Sequence, residues 1–140
     1  MTVTIADATL RQNLYEVIFD LLATDVATST SPIYQYKLTA AYIQGSKPVF
    51  PQIVLNPVDV DRSEPTFGSG NYRKDIRVLI DIFTKKSKEK DIAADRIQAL
   101  LDANAWDGVV LIGVTESNAL ETPGENEIHL KSVALSFLRR

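Results

Sequence analysis

The chain contains no cysteine, which removes disulfides, thiolate nucleophiles and every sulfur-ligated metal site at once. Histidine is nearly absent too: the one imidazole, His129, has no evident partner and supports no acid/base mechanism, so it reads as an ordinary strand residue. No uninterrupted apolar run approaches the ~20 residues that span a bilayer, so no membrane contact is expected. The opening Met1-Thr2-Val3-Thr4 lacks the basic-then-apolar pattern of a signal peptide, which points to a protein made and kept in a cytoplasm. A basic excess is also missing. With a net charge of −3, binding nucleic acid by counterion release would need the bases gathered on one face, and only short clusters occur.

What is present is an ordinary globular composition, 45% hydrophobic and 24% charged over 140 residues, enough for one domain spanning 1–140 with its own core. From Leu10 the apolar residues Leu14, Val17, Ile18, Leu21 and Leu22 fall on one helical face, and Arg11, Gln12, Glu16 and Asp20 take the other. Thr4 with Asp7 three residues on fits a helix start, and Asp7 itself is the other possible cap. After the Thr28–Pro32 break, Tyr34, Tyr36, Leu38, Ala40 and Tyr42 alternate with polar neighbours as a first strand. Phe50–Leu55 is the second, with Pro51 near its start; it ends at Asn56-Pro57 or resumes through Val58 and Val60.

The segment Tyr72–Thr84 is the clearest strand. Ile76, Val78, Ile80 and Ile82 share a face, opposite Arg73, Asp75, Arg77 and Asp81, with Leu79 and Phe83 making the far end of that second face apolar. It should be central. Ser87 can cap a second helix, with Ala93, Ile97, Leu100 and Leu101 as its buried stripe. Val109–Val114 and Ile128–Leu138 close the chain as strands. The order α-β-β-β-α-β-β predicts an α+β fold, a largely antiparallel sheet with both helices packed on one face.

Two connections exceed what such a fold needs: Arg62–Asn71 between neighbouring strands, where hairpin loops commonly take ~2–5 residues, and the polar, acidic Glu116–Asn126. Within the first, Arg62, Glu64, Phe67, Gly68 and Gly70, with Tyr72 at the far end, are candidate interaction residues, because the glycines ease rearrangement and Phe67 has no periodic strand to bury it. The loop is expected to be mobile in a free subunit and ordered against a neighbour. Candidate subunit contacts are Tyr36, Tyr42, Leu79 and Phe83, whose strand faces read as more apolar than a small monomer usually exposes.

Other motifs dissolve on inspection. Asp59-Val60-Asp61-Arg62-Ser63 begins like a calcium loop, but Glu64 and Gly70 occupy the places of the required glycine and bidentate glutamate. Gly68-Ser69-Gly70 precedes a strand instead of a helix, and Arg73 stands where a dinucleotide fingerprint needs its third glycine. Lys85–Lys90 is a basic cluster diluted by Glu89, best read as a solvated strand-to-helix junction. Tyr34, Tyr36 and Tyr42 lack the basic groove of a base-stacking platform and read as core or subunit contact. No catalytic residue, cofactor site or metal site is expected.

Taken with its long loop, this order resembles the tail-terminator family of tailed bacteriophages, also called tail-completion or head-to-tail joining proteins. The resemblance covers nearly the whole chain. It rests on the helix Leu10–Leu22, the segment Phe50-Pro51-Gln52-Ile53-Val54-Leu55, the loop through Phe67-Gly68, the strand Tyr72–Thr84, the helix Ser87–Leu101 and the closing strand. It implies a structural virion protein without an active site or cofactor, assembled in a host cytoplasm into a hexameric ring. Such a ring caps the tail tube and joins it to the neck, so the implied partners are further copies of itself, the tail tube protein and a head-closure or neck protein. Genome DNA passes through the lumen without specific binding, and a mildly acidic subunit is consistent with that. The alternatives are another neck component such as a head-closure protein, and a small-ligand-binding domain with a pocket between sheet and helices.

Overall fold

The structure, a computed structural model, describes residues 2–5, 9–28, 31–33, 36–41, 50–63, 73–120 and 127–139. In chain order these form β1 (Thr2–Thr4), α1 (Leu10–Val26), β2 (Lys37–Thr39), β3 (Gln52–Leu55), β4 (Asp59–Ser63), β5 (Arg73–Thr84), α2 (Ser87–Asp102), β6 (Ala105–Asp107), β7 (Val110–Leu120) and β8 (His129–Arg139). The architecture is α+β. Six strands make a mixed sheet in the order β2-β3-β5-β8-β7, with β4 pairing beside β3 on the same side of β5; β1 and β6 form a small parallel pair. Within the main sheet only β2–β3 is parallel.

Alternation decides what each strand buries. On β5, Ile76, Val78, Ile80 and Ile82 are buried, and their register partners on β8 are Phe137, Leu135, Val133 and Lys131. Both helices close over this face. α1 contributes Leu10, Leu14, Ile18 and Leu22, each one turn after the last, and α2 contributes Ala93, Ala94, Ile97 and Leu101 to the same core. Each fully buried Leu or Ile stabilises the fold by about 1.5–3 kcal/mol. Trp106 of β6 packs edge-on against Phe137, with ring centroids 5.3 Å apart.

The helices are also tied by charge. Asp25, buried near the end of α1, accepts from Ser31 Oγ at 2.5 Å and from Arg96 Nε of α2 at 3.0 Å. Burial alone would raise its pKa, but the hydrogen bonds from Arg96 and Ser31 outweigh that and hold the carboxyl below its ordinary value. At the opposite end of the molecule Gly108 takes φ +93°, and a Cβ there would lie 2.6 Å from the Ile5 carbonyl oxygen, so only glycine fits without strain. Arg139 Nη1 donates to that same carbonyl at 2.7 Å, fastening the β1–β6 pair to the end of β8.

Several expectations need correction. Thr4 lies in β1, and α1 starts at Leu10 with Thr9 as its N-cap, which makes no side-chain capping bond; Asp7 lies outside the described residues. α2 is preceded by Lys86 as N-cap, so Ser87 is its first helical residue instead of its cap. The first strand shrinks to Lys37–Thr39; Tyr36 precedes it, and Tyr34 and Tyr42 lie outside the described residues. β7 continues to Leu120, so Glu116–Leu120 is strand where a polar loop was expected. The second strand does resume, as β4.

Candidate functional site

The residues singled out from sequence are not gathered in one place. Arg62 is exposed on β4, while Glu64, Phe67, Gly68, Gly70 and Tyr72 lie outside the described residues, as does Tyr42. Two proposed subunit contacts prove to be interior. Tyr36 is 6% exposed, and its hydroxyl donates to the Glu89 carbonyl at 2.7 Å, so the phenol closes the gap between β2 and the start of α2. Burial, with the Glu89 charge nearby, raises its pKa above the ordinary tyrosine range. Phe83 is 8% exposed, leaving Leu79, which is half-buried on the face away from the helices. His129, half-buried opposite Thr84, has Nε2 3.6 Å from a Glu127 carboxylate oxygen.

The face turned away from the helices is buried around Gln52, Val54 and Phe83, and its exposed remainder divides in two. Around β4 and the first half of β5 it carries Asp59, Asp61, Asp75 and Arg77, with Arg73 Nε donating to Asp75 at 3.0 Å. Together with Val60 and with Arg11 of α1, which belong to the helix side, Asp59, Asp61, Asp75 and Arg77 line a polar cleft at β4. Around β7 and β8 the same face has no charge at all. Its register pairs run Val110–Leu138, Gly113–Ser136, Thr115–Ala134, Ser117–Ser132 and Ala119–Leu130. Such a row is small and smooth, unlike the long polar side chains that usually solvate an open antiparallel face. Between the halves, Asp81 accepts from Ser132 Oγ at 2.6 Å and from Asn56 Nδ2 at 2.9 Å, so its charge is spent within the chain.

The edge beyond this row is equally bare. Among the described residues β7 pairs only with β8, leaving a line of backbone N–H and C=O groups on its outer side. Of the four large apolar side chains exposed among the described residues, Val110, Ile112 and Leu120 are all on β7, with Ile92 on α2 the fourth. Ile112 is the extra residue of a β-bulge, since the register skips from Leu111 to Gly113.

Beneath β7, on its helix side, a polar network stands where the core would otherwise end. Lys131 Nζ reaches Asp91 at 2.7 Å and Glu116 at 3.1 Å, Lys90 Nζ reaches Asn118 at 2.9 Å, and Gln98 donates to Glu116 at 2.6 Å. The hydrogen bond to Asp91 leads the causes that raise the Lys131 pKa and keep it charged. These contacts hold β7 against α2 without burying its outer edge. Sequence reading missed them because Glu116 and Asn118 looked like loop residues. A signal was available in hindsight: Val114, Glu116, Asn118 and Leu120 alternate with the small Thr115, Ser117 and Ala119.

Among the described residues no group of three histidine, aspartate or glutamate side chains is placed to hold a metal ion. A second shallow cleft, lined by Arg11, Gln12, Arg62 and Lys74 among others, is polar and open. No family model matches the chain, and no curated protein matches it.

Proposed function

We propose that this chain is a structural assembly subunit, a ring-forming tail terminator that caps a phage tail tube and joins it to the neck. The observation that carries the assembly reading is the uncharged β7–β8 face with its exposed edge. Both helices pack on the other side of the sheet, so a smooth surface two long strands wide is left for a neighbour. The tail-terminator reading adds to this the resemblance in element order and the mildly acidic charge of −3. Function on this account lies in contacts between subunits and with the tail tube and neck proteins, and DNA passes the lumen unheld.

Tails that lack their terminator, mixed with the purified protein, provide the test. The expected result is a ring of six subunits on the tail end in electron micrographs, together with recovered joining to heads. A protein that leaves the tail ends bare and restores no joining overturns the reading.

A further inference from the structure

We propose that two copies of this chain join edge to edge through Val114–Leu120 of β7, antiparallel, about a two-fold axis through Ser117. This contact goes beyond the ring reading, because a two-fold contact pairs subunits and cannot by itself close a six-membered ring.

The outer side of β7 can only be satisfied by water or by another extended strand. Past the bulge at Ile112 the ladder from Gly113 to Leu120 runs without a further shift, so this half of the strand is regular enough to template a partner. Residues 115–120 are all exposed. Asn118 and Glu116 face the helix side with Val114 and Leu120, while Thr115, Ser117 and Ala119 face the open side.

The occupant is a second copy because the segment is complementary to itself. Turned about Ser117, Val114 falls opposite Leu120, Thr115 opposite Ala119, and Glu116 opposite Asn118, each pair on one face and about 5 Å apart. Glu116 is the only charged residue of β7, and in this register its carboxylate meets an amide donor instead of another charge. Moving the axis to residue 116 would place the two carboxylates face to face, and moving it to 118 would set Glu116 against Leu120. The opposite side of the sheet is a poorer match: it ends in β2, three residues long, and in β4, five residues long with Asp59, Asp61 and Arg62 exposed on it.

The absence of cysteine makes the test clean, since Ser117→Cys introduces the only thiol. Under mild oxidation S117C should form a disulfide-linked dimer, whereas Thr115→Cys should not, because the two copies of residue 115 would lie about 13 Å apart along the strands. Asn118→Glu keeps an acceptor for Lys90 but sets carboxylates opposite each other. It should weaken the dimer at least tenfold by light scattering across a dilution series, with less effect at high salt, and leave the melting temperature unchanged at dilutions where both proteins are monomeric. The proposal is overturned if S117C stays uncrosslinked, if T115C crosslinks equally, or if N118E dimerises like the parent. Rings that form on tails with N118E, whose dimer is lost, support the edge contact and leave the ring reading standing. A dimer that forms through this edge while no ring appears on tails supports the edge contact and overturns the ring reading alone.

Discussion

Two edge strands of this sheet, β4 and β7, meet the exposure of a strand edge in opposite ways. At β4 the exposed residues are Asp59, Asp61 and Arg62, and a β-edge that carries charge resists pairing with a stranger. At β7 the exposed residues include Val110, Ile112 and Leu120, with a single charge, Glu116, that is engaged by Gln98 and Lys131. The same sheet therefore guards one edge and offers the other. The division continues across the open face, charged around β4 and free of charge across β7 and β8. Burial of core residues does not distinguish the halves, since one helix layer covers both. What differs is which surface was left without the usual protection against association, and the proposed contacts are placed there.

The largest effect should separate the covered face from the open one. Val78 is fully buried beneath the helices and Arg77, its neighbour on β5, is exposed on the open face. Val78→Asp should abolish cooperative melting by placing an unpaired charge in the core, a loss of more than about 4 kcal/mol. Arg77→Gln, which adds no negative charge beside Asp59 and Asp75, should shift stability by no more than about 1 kcal/mol on the same melting curve.

Next comes the clamp between the helices. Asp25→Ala removes the charged acceptor of the Ser31 hydroxyl and of Arg96, and should cost about 2–3 kcal/mol in denaturant unfolding. Because the folded pKa of Asp25 lies below its unfolded value, its contribution is fully present above the unfolded value, about pH 4, and is lost as pH falls through the folded one. The parent should therefore lose stability on acidification in that window by more than D25A does. Equal acid sensitivity would show that the clamp is not electrostatic.

The smallest effect on stability should carry the largest effect on association. Leu120 is 44% exposed on the β7 edge, and Leu120→Lys should leave the melting temperature of the dilute protein within a degree or two. It should also reduce self-association measured by light scattering, as a lysine on an edge does in other sheets. The matching change on the guarded edge, Asp61→Lys, should alter neither. An L120K protein that associates like its parent would break the comparison between the edges.

How much of this could be read from sequence follows the strength of each periodic signal. The alternation in β5 and the helical stripe of α1 are long and unambiguous, so the central strand, both helices and the one-sided helix layer were legible. β1 and β6 were not, because strands of three residues have no period to detect. Tyr36, read as core or subunit contact, is core. It sits among alternating tyrosines, yet its ring leaves the strand pattern and points its hydroxyl at the Glu89 carbonyl, a contact 53 residues away in sequence. The candidate surface was hidden by the composition of β7. Thr-Glu-Ser-Asn reads as a loop until β8 and the polar network under α2 hold it extended, so its strand character is tertiary in origin.

Amide hydrogen exchange at low and high protein concentration compares the two edges directly. If the uncharged edge is the surface of association, amides in Val114–Leu120 should gain protection as concentration rises, while those of Asp59–Ser63 should exchange at the same rate throughout. Protection that rises at β4, or at neither edge while the protein associates, would contradict the account.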